Sequence, residues 1–234
     1  MNKEKQRPVP RFRRELKHRI NEQDYWLLRQ RLQQVASLDS NGGSHGKYQI
    51  RSLYFDTPDD KALREKLDGV NEREKFRIRY YNFDDSYIRL EKKSKCNGIG
   101  HKQNVRLTRE QCDRLLAGET DWMPGSGDAL LTELYGKMKF QQLRPRTIVD
   151  YMREAYVYPA GNVRVTIDSQ IRTGLRCIAL FDRDLPTVPT GHPGTMILEV
   201  KFDDFLPDVI RDLIQLGERQ NHAFSKYAVC RRYE

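Results

Sequence analysis

Charged and apolar residues alternate along several short segments of this chain. The clearest segment is Lys75-Phe76-Arg77-Ile78-Arg79-Tyr80, in which every second residue is a cation. Because successive residues of a β-strand point to opposite faces, such a segment would carry one charged face and one apolar face. The same alternation recurs in Glu15-Leu16-Lys17-His18-Arg19, Arg89-Leu90-Glu91-Lys92-Lys93-Ser94-Lys95, Tyr151-Met152-Arg153, Arg164-Val165-Thr166-Ile167-Asp168 and Leu198-Glu199-Val200-Lys201. If these strands share a sheet, their charged faces form one surface lined with cations and a few carboxylates.

The pattern predicts about eight strands with helices at the start, middle and end. Strands are predicted over residues 11–20, 48–55, 72–82, 86–95, 101–107, 146–156, 162–172, 175–182 and 195–203. Helices are predicted after Asn21, over 59–67, after Thr108, over 128–142, over 205–216 and around Ser225 and Lys226. Antiparallel hairpins with helices between them favour an α+β fold over a doubly wound sheet.

The domain organisation follows from the same pattern. The alternation continues from near residue 13 to near residue 201 without a linker-like break, so we expect residues 11–234 to form a single domain. Residues 1–10 are polar and contain two prolines, and they are expected to form a flexible tail.

Closing eight strands into a barrel leaves an interior just large enough for packed side chains or one small ligand. The alternation would place charges inside and apolar residues outside, beneath the helices. A charged interior without a guest is energetically costly, so a lined cavity implies an ionic ligand. The alternative is an open sheet whose charged face meets water. Recurrence of the pattern over six or seven segments favours the cavity.

Composition and charge narrow the partner class. The chain has 234 residues, 38% of them hydrophobic and 32% charged, whereas globular proteins typically have about 25% charged residues. Twelve Tyr, nine Phe and two Trp still supply a core. The net charge of +9 favours nucleic acid, an anionic membrane or polyphosphate as partner, although such a charge can also serve solubility alone.

The cysteines and the apolar runs bear on localisation. The four cysteines, Cys96, Cys112, Cys177 and Cys230, form no C-x-x-C pair, which disfavours a zinc knuckle. The N-terminus has no apolar run, and no stretch approaches the ~20 apolar residues of a membrane span. A reduced, cytoplasmic, soluble protein is therefore expected.

Eight short motifs occur in a fixed order along the chain. They are Glu15-Leu16-Lys17-His18, Ser52-Leu53-Tyr54-Phe55-Asp56-Thr57, Lys75 to Tyr80, Leu90 to Lys95, Tyr151-Met152-Arg153, Val163 to Asp168, Ile197 to Lys201 and Phe224-Ser225-Lys226-Tyr227. Together they resemble the polyphosphate polymerase (VTC) domain of the vacuolar transporter chaperone family, within the CYTH-like triphosphate tunnel metalloenzymes. The resemblance covers Arg14 to Tyr227.

The resemblance implies a fold, a reaction and partners. The implied fold is an eight-stranded antiparallel β tunnel that holds a triphosphate and Mn²⁺ or Mg²⁺. The implied reaction is metal-dependent transfer of a phosphoryl group from ATP to a growing inorganic polyphosphate chain, with release of ADP. Family polymerases can be coupled to membrane translocation, so this chain would need a membrane-protein partner for polymer export.

Arg77 and Arg79 are the strongest candidate site residues. Guanidinium groups offer donor forks that match phosphate oxygens, and two residues apart on a strand they point the same way. The resemblance adds Lys93 and Lys17 as phosphate-binding lysines. Further phosphate-binding candidates are Arg153, Arg164, Lys226, Ser225, Lys95, Lys102 and Tyr151, with Arg106 sharing the face of Lys102. Asp168 shares the face of Arg164 and is expected to orient it.

Glu199 is the main candidate metal ligand. A hard divalent cation prefers oxygen ligands, and a triphosphate supplies most of them, so one protein carboxylate could suffice. Glu15 and Glu91 are further candidates, and each could instead pair with a lysine. Lys201 shares the face of Glu199 and could serve as ligand or partner. Ala223 departs from the family pattern, in which a further lysine is expected just before Phe224.

Three other functions compete with polymerisation. The same cage could serve an inorganic triphosphatase or nucleoside triphosphatase, in which water is the acceptor. The Ala223 departure lends weight to a non-catalytic polyphosphate sensor. Nucleic-acid binding ranks last, because RNA binding usually requires exposed stacking aromatics and the aromatics here fall mostly on the buried face.

Overall fold

The structure, a computed structural model, describes residues 13–217 and 223–234. The strands are β1 (Arg14–Ile20), β2 (Ser37–Leu38), β3 (Lys47–Asp56), β4 (Arg73–Tyr81), β5 (Asp84–Cys96), β6 (Ile99–Leu107), β7 (Arg144–Tyr158), β8 (Val163–Thr173), β9 (Val188–Pro189) and β10 (Met196–Phe202). The α-helices are α1 (Glu22–Leu32), α2 (Lys61–Leu67), α3 (Arg109–Leu116), α4 (Ala129–Gln141), α5 (Asp208–Leu213) and α6 (Lys226–Arg231). Short 3₁₀ helices cover Ser40–His45, Pro124–Ser126 and Ala160–Asn162.

Eight long strands form one antiparallel sheet in the order β1-β10-β8-β7-β3-β4-β5-β6. The short strands β2 and β9 add to β7 and β8. Five strands separate β1 from β5 in this order, yet Lys93 Nζ of β5 lies 3.5 Å from Glu15 Oε2 of β1. The sheet must therefore be strongly curled, so that its two ends approach each other. The prediction of an antiparallel β tunnel with helices packed outside is confirmed.

The convex side of the sheet carries the apolar face of the strands and most of the helices. Leu28 and Leu32 of α1 pack with Ile167, Leu198 and Val200 over one half. Leu115 of α3 and Leu131 and Leu134 of α4 pack with Phe76, Ile78 and Leu90 over the other half. The alternate residues of these strands therefore point into the concave side. Both α1 and α3 begin with the predicted capping boxes, at Asn21 and Thr108.

The C-terminal helix α6 covers part of the concave side. Tyr227 stacks on Tyr54 of β3 with ring centroids 5.0 Å apart, and Cys230 packs with Val149 and Ile171. Ser225 caps the helix by accepting a hydrogen bond from the Ala228 amide. This helix thus fills space between strands that would otherwise enclose a wider tunnel.

The predicted strand over residues 175–182 is wrong, because this segment consists of turns. Leu175 has a φ of 54°, which a strand does not allow. The segment instead covers the convex core: Leu180 is fully buried, and its carbonyl accepts a hydrogen bond from the Tyr80 hydroxyl. Apolar residues that cover a hydrophobic core without hydrogen-bonding to a neighbouring strand give the same sequence pattern as a buried strand.

Two other predicted elements need a smaller adjustment. The helix predicted over 205–216 is limited to α5, which begins after Pro207. The final helix begins at Lys226, with Ser225 as its cap. The predicted tail over residues 1–10 lies outside the described residues. Within residues 13–217 and 223–234, no helix combines the length and apolar character that a bilayer crossing requires.

Candidate functional site

Arg77 and Arg79 of β4 lie next to each other on the concave face, as their spacing predicts. Arg77 Nη2 lies 2.6 Å from Glu91 Oε2 and its Nη1 donates to the Tyr54 hydroxyl at 2.8 Å. Arg79 donates to Ser52 Oγ at 3.1 Å and to the Tyr151 hydroxyl at 3.0 Å. Both guanidiniums are thus fixed in orientation before any ligand binds.

Glu91 is the carboxylate that holds this group together. It is buried and contacts Arg77, Arg79 and Lys102, whose Nζ lies 2.5 Å from Glu91 Oε1. Burial would raise its pKa, but the charges of Arg77, Arg79 and Lys102 hold the pKa well below the usual range. Three cations around one carboxylate leave a net positive charge. Glu91 holds the three cationic side chains in fixed positions.

Asp168 organises a second cationic group. Its carboxylate pairs with Arg153 at 2.6 Å and with Lys226 of α6 at 2.5 Å. Burial would raise its pKa, but Lys226 and Arg153 lower the pKa to about 2. The expectation that Asp168 orients Arg164 is wrong, because Arg153 from the neighbouring strand β7 occupies that position in the register.

Glu15, Lys17, Glu199 and Lys201 form a third group across the paired strands β1 and β10. Lys17 Nζ lies 2.7 Å from Glu15 Oε1 and 3.4 Å from Glu199 Oε2. Lys201 pairs with Glu199 and lies 3.8 Å from Glu15. Burial would raise the pKa of Glu199, but Lys201 and Lys17 hold the pKa well below the usual range. Two ionised carboxylates therefore share one face of the sheet.

This third group fits a hard divalent cation, because ionised carboxylate oxygens are the ligands that Mg²⁺ and Mn²⁺ prefer. Glu199 and Glu15 would hold the ion. The described residues contain no cluster of three or more His, Cys, Asp or Glu side chains suited to a metal. The remaining ligands would therefore come from phosphate oxygens and water.

A cavity of about 350 Å³ opens at the end of the tunnel where β5 turns into β6. Its charged lining comprises six cations, Lys17, Lys66, Arg73, Lys75, Lys93 and Lys95, and two carboxylates, Glu15 and Glu74. Ala223, Phe224, Ser225 and Tyr227 complete one wall. We call this opening the lysine mouth. Its surplus of cations suits a polyanion.

Besides Lys66 and Arg73 of the lysine mouth, Lys75 and Tyr54 are site residues that the sequence pattern did not single out. Lys75 shares the face of Arg77, and burial followed by the charges of Arg77 and Lys93 lowers the pKa of its ammonium to about 8. Tyr54 faces the same group, and although burial would raise its pKa, Arg77 and Lys75 lower the pKa to about 7. The alternation along β3 and β4 contains both residues, so strand parity could have identified them.

The remaining predicted residues lie at several places on the concave face. Arg164 donates to the Tyr48 hydroxyl at 3.0 Å and pairs with Asp39. Tyr151 is buried among Arg79, Arg153 and Lys226, with the Lys226 ammonium 4.7 Å from its ring centroid. Arg106 lies at the opposite end from the lysine mouth, 5.5 Å from the Tyr87 ring.

The comparison with protein families gives one match, to the family described as the VTC domain, over residues 12–233. No curated protein sequence is similar to the chain at a significant level.

Several solved structures are similar to the chain. A candidate adenylate cyclase from Bacillus halodurans is 12% identical with a TM-score of 0.50, covering 90% of this chain and 94% of that one. A second candidate adenylate cyclase, from Vibrio parahaemolyticus, is 10% identical with a TM-score of 0.49, covering 92% and 97%. A candidate adenylyl cyclase from Hippeastrum, described as having a dominant triphosphatase activity, is 16% identical with a TM-score of 0.45, covering 94% and 95%. At 12% identity, the similarity to the Bacillus halodurans structure shows a shared fold and nothing more.

Proposed function

Because the chain belongs to the VTC domain family, we propose that it transfers the γ-phosphoryl group of ATP to a growing inorganic polyphosphate chain and releases ADP. The observation that carries this proposal is the surplus of cations around the concave cavity, with Arg77 and Arg79 side by side and six cations at the lysine mouth. Such a surface is costly unless a highly charged anion occupies it.

The reaction needs no nucleophile from the protein. An oxygen of the terminal phosphate of the acceptor chain forms a bond to the γ-phosphorus, and the bond from that phosphorus to the β–γ bridging oxygen breaks, so that ADP leaves. Phosphoryl transfer of this kind depends on positioning and on stabilisation of charge on the transferred oxygens. Arg77, Arg79, Arg153, Lys93 and Lys226 are the residues we assign to those tasks.

Preorganisation explains why carboxylates lie among the phosphate-binding cations. Glu91 and Asp168 are buried and hold Arg77, Arg153 and Lys226 in fixed positions before substrate binds. Donors that need not reorient as charge develops contribute more to rate than flexible donors do. The carboxylates thus lower the reorganisation cost, and the remaining positive charge stays available for phosphate.

Mn²⁺ or Mg²⁺ would be held by Glu199 and Glu15, and when bound it would neutralise charge on the phosphate oxygens. Lys17 and Lys201 contact both carboxylates, so they set the charge of this group and orient the carboxylate oxygens.

Hydrolysis of a triphosphate is the second candidate function, and Tyr54 is the observation that favours it. Its hydroxyl has a pKa of about 7, lowered by Arg77 and Lys75 against the effect of burial. This hydroxyl lies 2.8 Å from Arg77 Nη1, so it is placed beside a phosphate held by Arg77, where it could accept a proton from an attacking water molecule. The same phosphate-binding residues would then support release of orthophosphate from ATP or inorganic triphosphate.

One incubation separates these functions. Purified protein is mixed with ATP and Mn²⁺, and products are resolved on a polyacrylamide gel stained for polyphosphate, with orthophosphate and ADP measured in parallel. Long polyphosphate with equimolar ADP supports the polymerase. Orthophosphate without polymer supports the triphosphatase. Tight binding of polyphosphate without turnover and without metal dependence would contradict both and indicate a sensor.

Arg77→Ala is the matched variant for this incubation. It should reduce product formation by about 10²- to 10³-fold, the effect expected for loss of one preorganised donor. Arg109→Ala removes an exposed arginine that pairs with Asp85 and Asp113 away from the concave face, and it should retain activity. Full activity in folded Arg77→Ala would count against the assignment.

A further inference from the structure

Three tyrosines, Tyr48, Tyr81 and Tyr87, line the concave face at the end opposite the lysine mouth. The ring centroids of Tyr48 and Tyr81 are 6.1 Å apart, and those of Tyr81 and Tyr87 are 6.4 Å apart. Tyr87 is the outermost ring, and 36% of its surface is exposed. We call this row the tyrosine ladder. It leads from the buried interior to solvent beside the two-residue turn between β4 and β5.

Strand parity places the ladder on the same face as the phosphate-binding residues. Tyr81 alternates with Arg79 on β4, and Tyr87 alternates with Glu91 on β5. The intervening residue Ile88 is fully buried in the convex core, which fixes Tyr87 on the concave side. The ladder and Arg79 are therefore parts of one continuous surface.

Two arginines flank the outermost ring. The guanidinium carbon of Arg89 lies 4.6 Å from the Tyr87 ring centroid, and that of Arg106 lies 5.5 Å from it. Arg79, Arg89 and Arg106 are directly opposite one another in the registers of β4, β5 and β6. This row of guanidiniums runs from the phosphate-binding centre to the ladder.

The two ends of the tunnel differ in chemistry. Five of the six cations at the lysine mouth are lysines, whose compact ammonium groups suit phosphate oxygens in many orientations. The opposite end combines aromatic rings with guanidinium planes, which stack on flat π-systems. A bare phosphate chain has no flat surface that could use three tyrosine rings. A nucleobase has one.

We propose that the tyrosine ladder, with Arg89 and Arg106, binds the nucleoside part of a nucleoside triphosphate whose phosphates lie at Arg77 and Arg79. The proposal rests on the function proposed above and assigns the nucleotide to this end, which leaves the lysine mouth to the phosphate chain. Tyr87 and Glu91 are four residues apart on β5, about 13 Å along the strand. This separation is comparable with the reach of an extended nucleoside triphosphate from its base to its γ-phosphate.

Stacking is the contribution that we assign to the ladder. Stacking on aromatic rings is tolerant of base identity, because every base has a π-face. ATP and GTP should therefore bind with similar affinity, whereas inorganic tripolyphosphate should lack the contribution of the ladder entirely.

The test compares ATP with inorganic tripolyphosphate, each with Mg²⁺, by calorimetric titration of the full chain. Tyr87→Ala should weaken ATP binding at least about fivefold, the lower end of the effect of removing one stacking platform. Its affinity for tripolyphosphate should not change. Tyr87→Phe keeps the ring and should restore most of the ATP affinity. Phe140→Ala, which removes an exposed ring from α4, is the matched control and should leave both affinities unchanged.

Each contrary result points to a different failure. If Tyr87→Ala weakens both ligands equally or neither, the ladder is not a nucleoside site, although the triphosphate site stands. If Tyr87→Ala leaves the ratio of the affinities for ATP and tripolyphosphate unchanged, the ladder contributes nothing and the proposal is overturned. If the unaltered protein binds neither ligand, both the ladder and the proposed function are wrong. An Arg89→Gln, Arg106→Gln double variant with unchanged preference for ATP would exclude the arginines from the site.

Discussion

In two groups of charged side chains in the tunnel, cations outnumber carboxylates. Glu91 contacts three cations and Asp168 contacts two, so each buried carboxylate leaves positive charge uncompensated. A carboxylate removed from water needs partners, and two or three cations satisfy it. The cations gain fixed positions in return, while their remaining charge is neutralised only when an anion binds.

Tyr54 and Lys75 make anion binding depend on pH near neutrality. Burial and neighbouring cations lower the pKa of Lys75 to about 8, and cations lower the pKa of Tyr54 to about 7 despite its burial. As pH rises from 6 to 9, Tyr54 becomes anionic and Lys75 becomes neutral, so the site loses positive charge. The affinity for tripolyphosphate should fall by at least about tenfold, since one charge pair 4 Å apart contributes ~4 kcal/mol at an effective dielectric constant of about 20. Titrations at each pH measure this dependence.

The ligand also titrates over this range, so a variant protein provides the control. In the double variant Tyr54→Phe, Lys75→Arg, these two positions keep their charge up to pH 9, whereas the ligand and Lys201, whose pKa is also lowered to about 8 by burial, still titrate. The difference between the pH profiles of the two proteins therefore measures Tyr54 and Lys75 alone, and the affinity of the variant should fall less than that of the unaltered protein. Identical pH profiles for the two proteins would mean that neither residue titrates near the bound phosphates.

At the scale of elements, α2 and α6 are joined through one buried carboxylate. Asp56 Oδ1 accepts from the Thr57 and Ala62 amides at 2.9 and 2.8 Å, and Oδ2 accepts from the Leu63 amide and, at 2.5 Å, from the Tyr227 hydroxyl. Asp56 thus fixes the start of α2 and the position of α6. Because α6 carries Lys226, this carboxylate also supports the phosphate site.

Asp56→Asn should destabilise the protein and weaken its site together. The amide cannot accept all these hydrogen bonds, so buried donors lose their partner, although Arg231 keeps Asp60 and Glu234. We therefore expect a loss of about 3 kcal/mol in the free energy of unfolding. Urea unfolding measures this loss, and tripolyphosphate titration should show weaker binding because Lys226 is less well placed. Asp59→Asn, at an exposed position three residues away, should change neither quantity. Lower stability with unchanged affinity for tripolyphosphate would show that the position of α6 does not affect phosphate binding.

The elements also show what could be predicted from sequence. Strand parity identified the concave face of β1, β4, β5, β8 and β10, because one wrong residue of register would have exposed an apolar row. The prediction of a strand over 175–182 was wrong, since its apolar residues pack onto the core without backbone pairing. The pairing of Asp168 with Arg153 depends on the register between β7 and β8, which alternation within a single strand does not contain.

At the scale of the whole molecule, curvature converts separate charged strand faces into one binding surface. The ion pair between Lys93 and Glu15 links strands from opposite parts of the sheet order, where the two ends of the curled sheet approach each other. The convex cores hold the two halves independently of these charges. Repulsion among the concave cations therefore opposes a fold that is otherwise stabilised by apolar packing.

This balance predicts that a polyphosphate ligand stabilises the protein. At a tripolyphosphate concentration 100 times its Kd, binding to the folded state alone contributes about 2.7 kcal/mol. For a chain of this length, that corresponds to a rise in Tm of roughly 5–10 °C. Scanning calorimetry measures the shift, with sulfate at equal ionic strength as the control for screening of the net charge of +9. The double variant Arg77→Ala, Arg79→Ala should lose most of the shift from tripolyphosphate and keep the response to sulfate. An equal shift from both salts in both proteins would show that the concave face has no specific anion site, because screening alone would then account for the stabilisation.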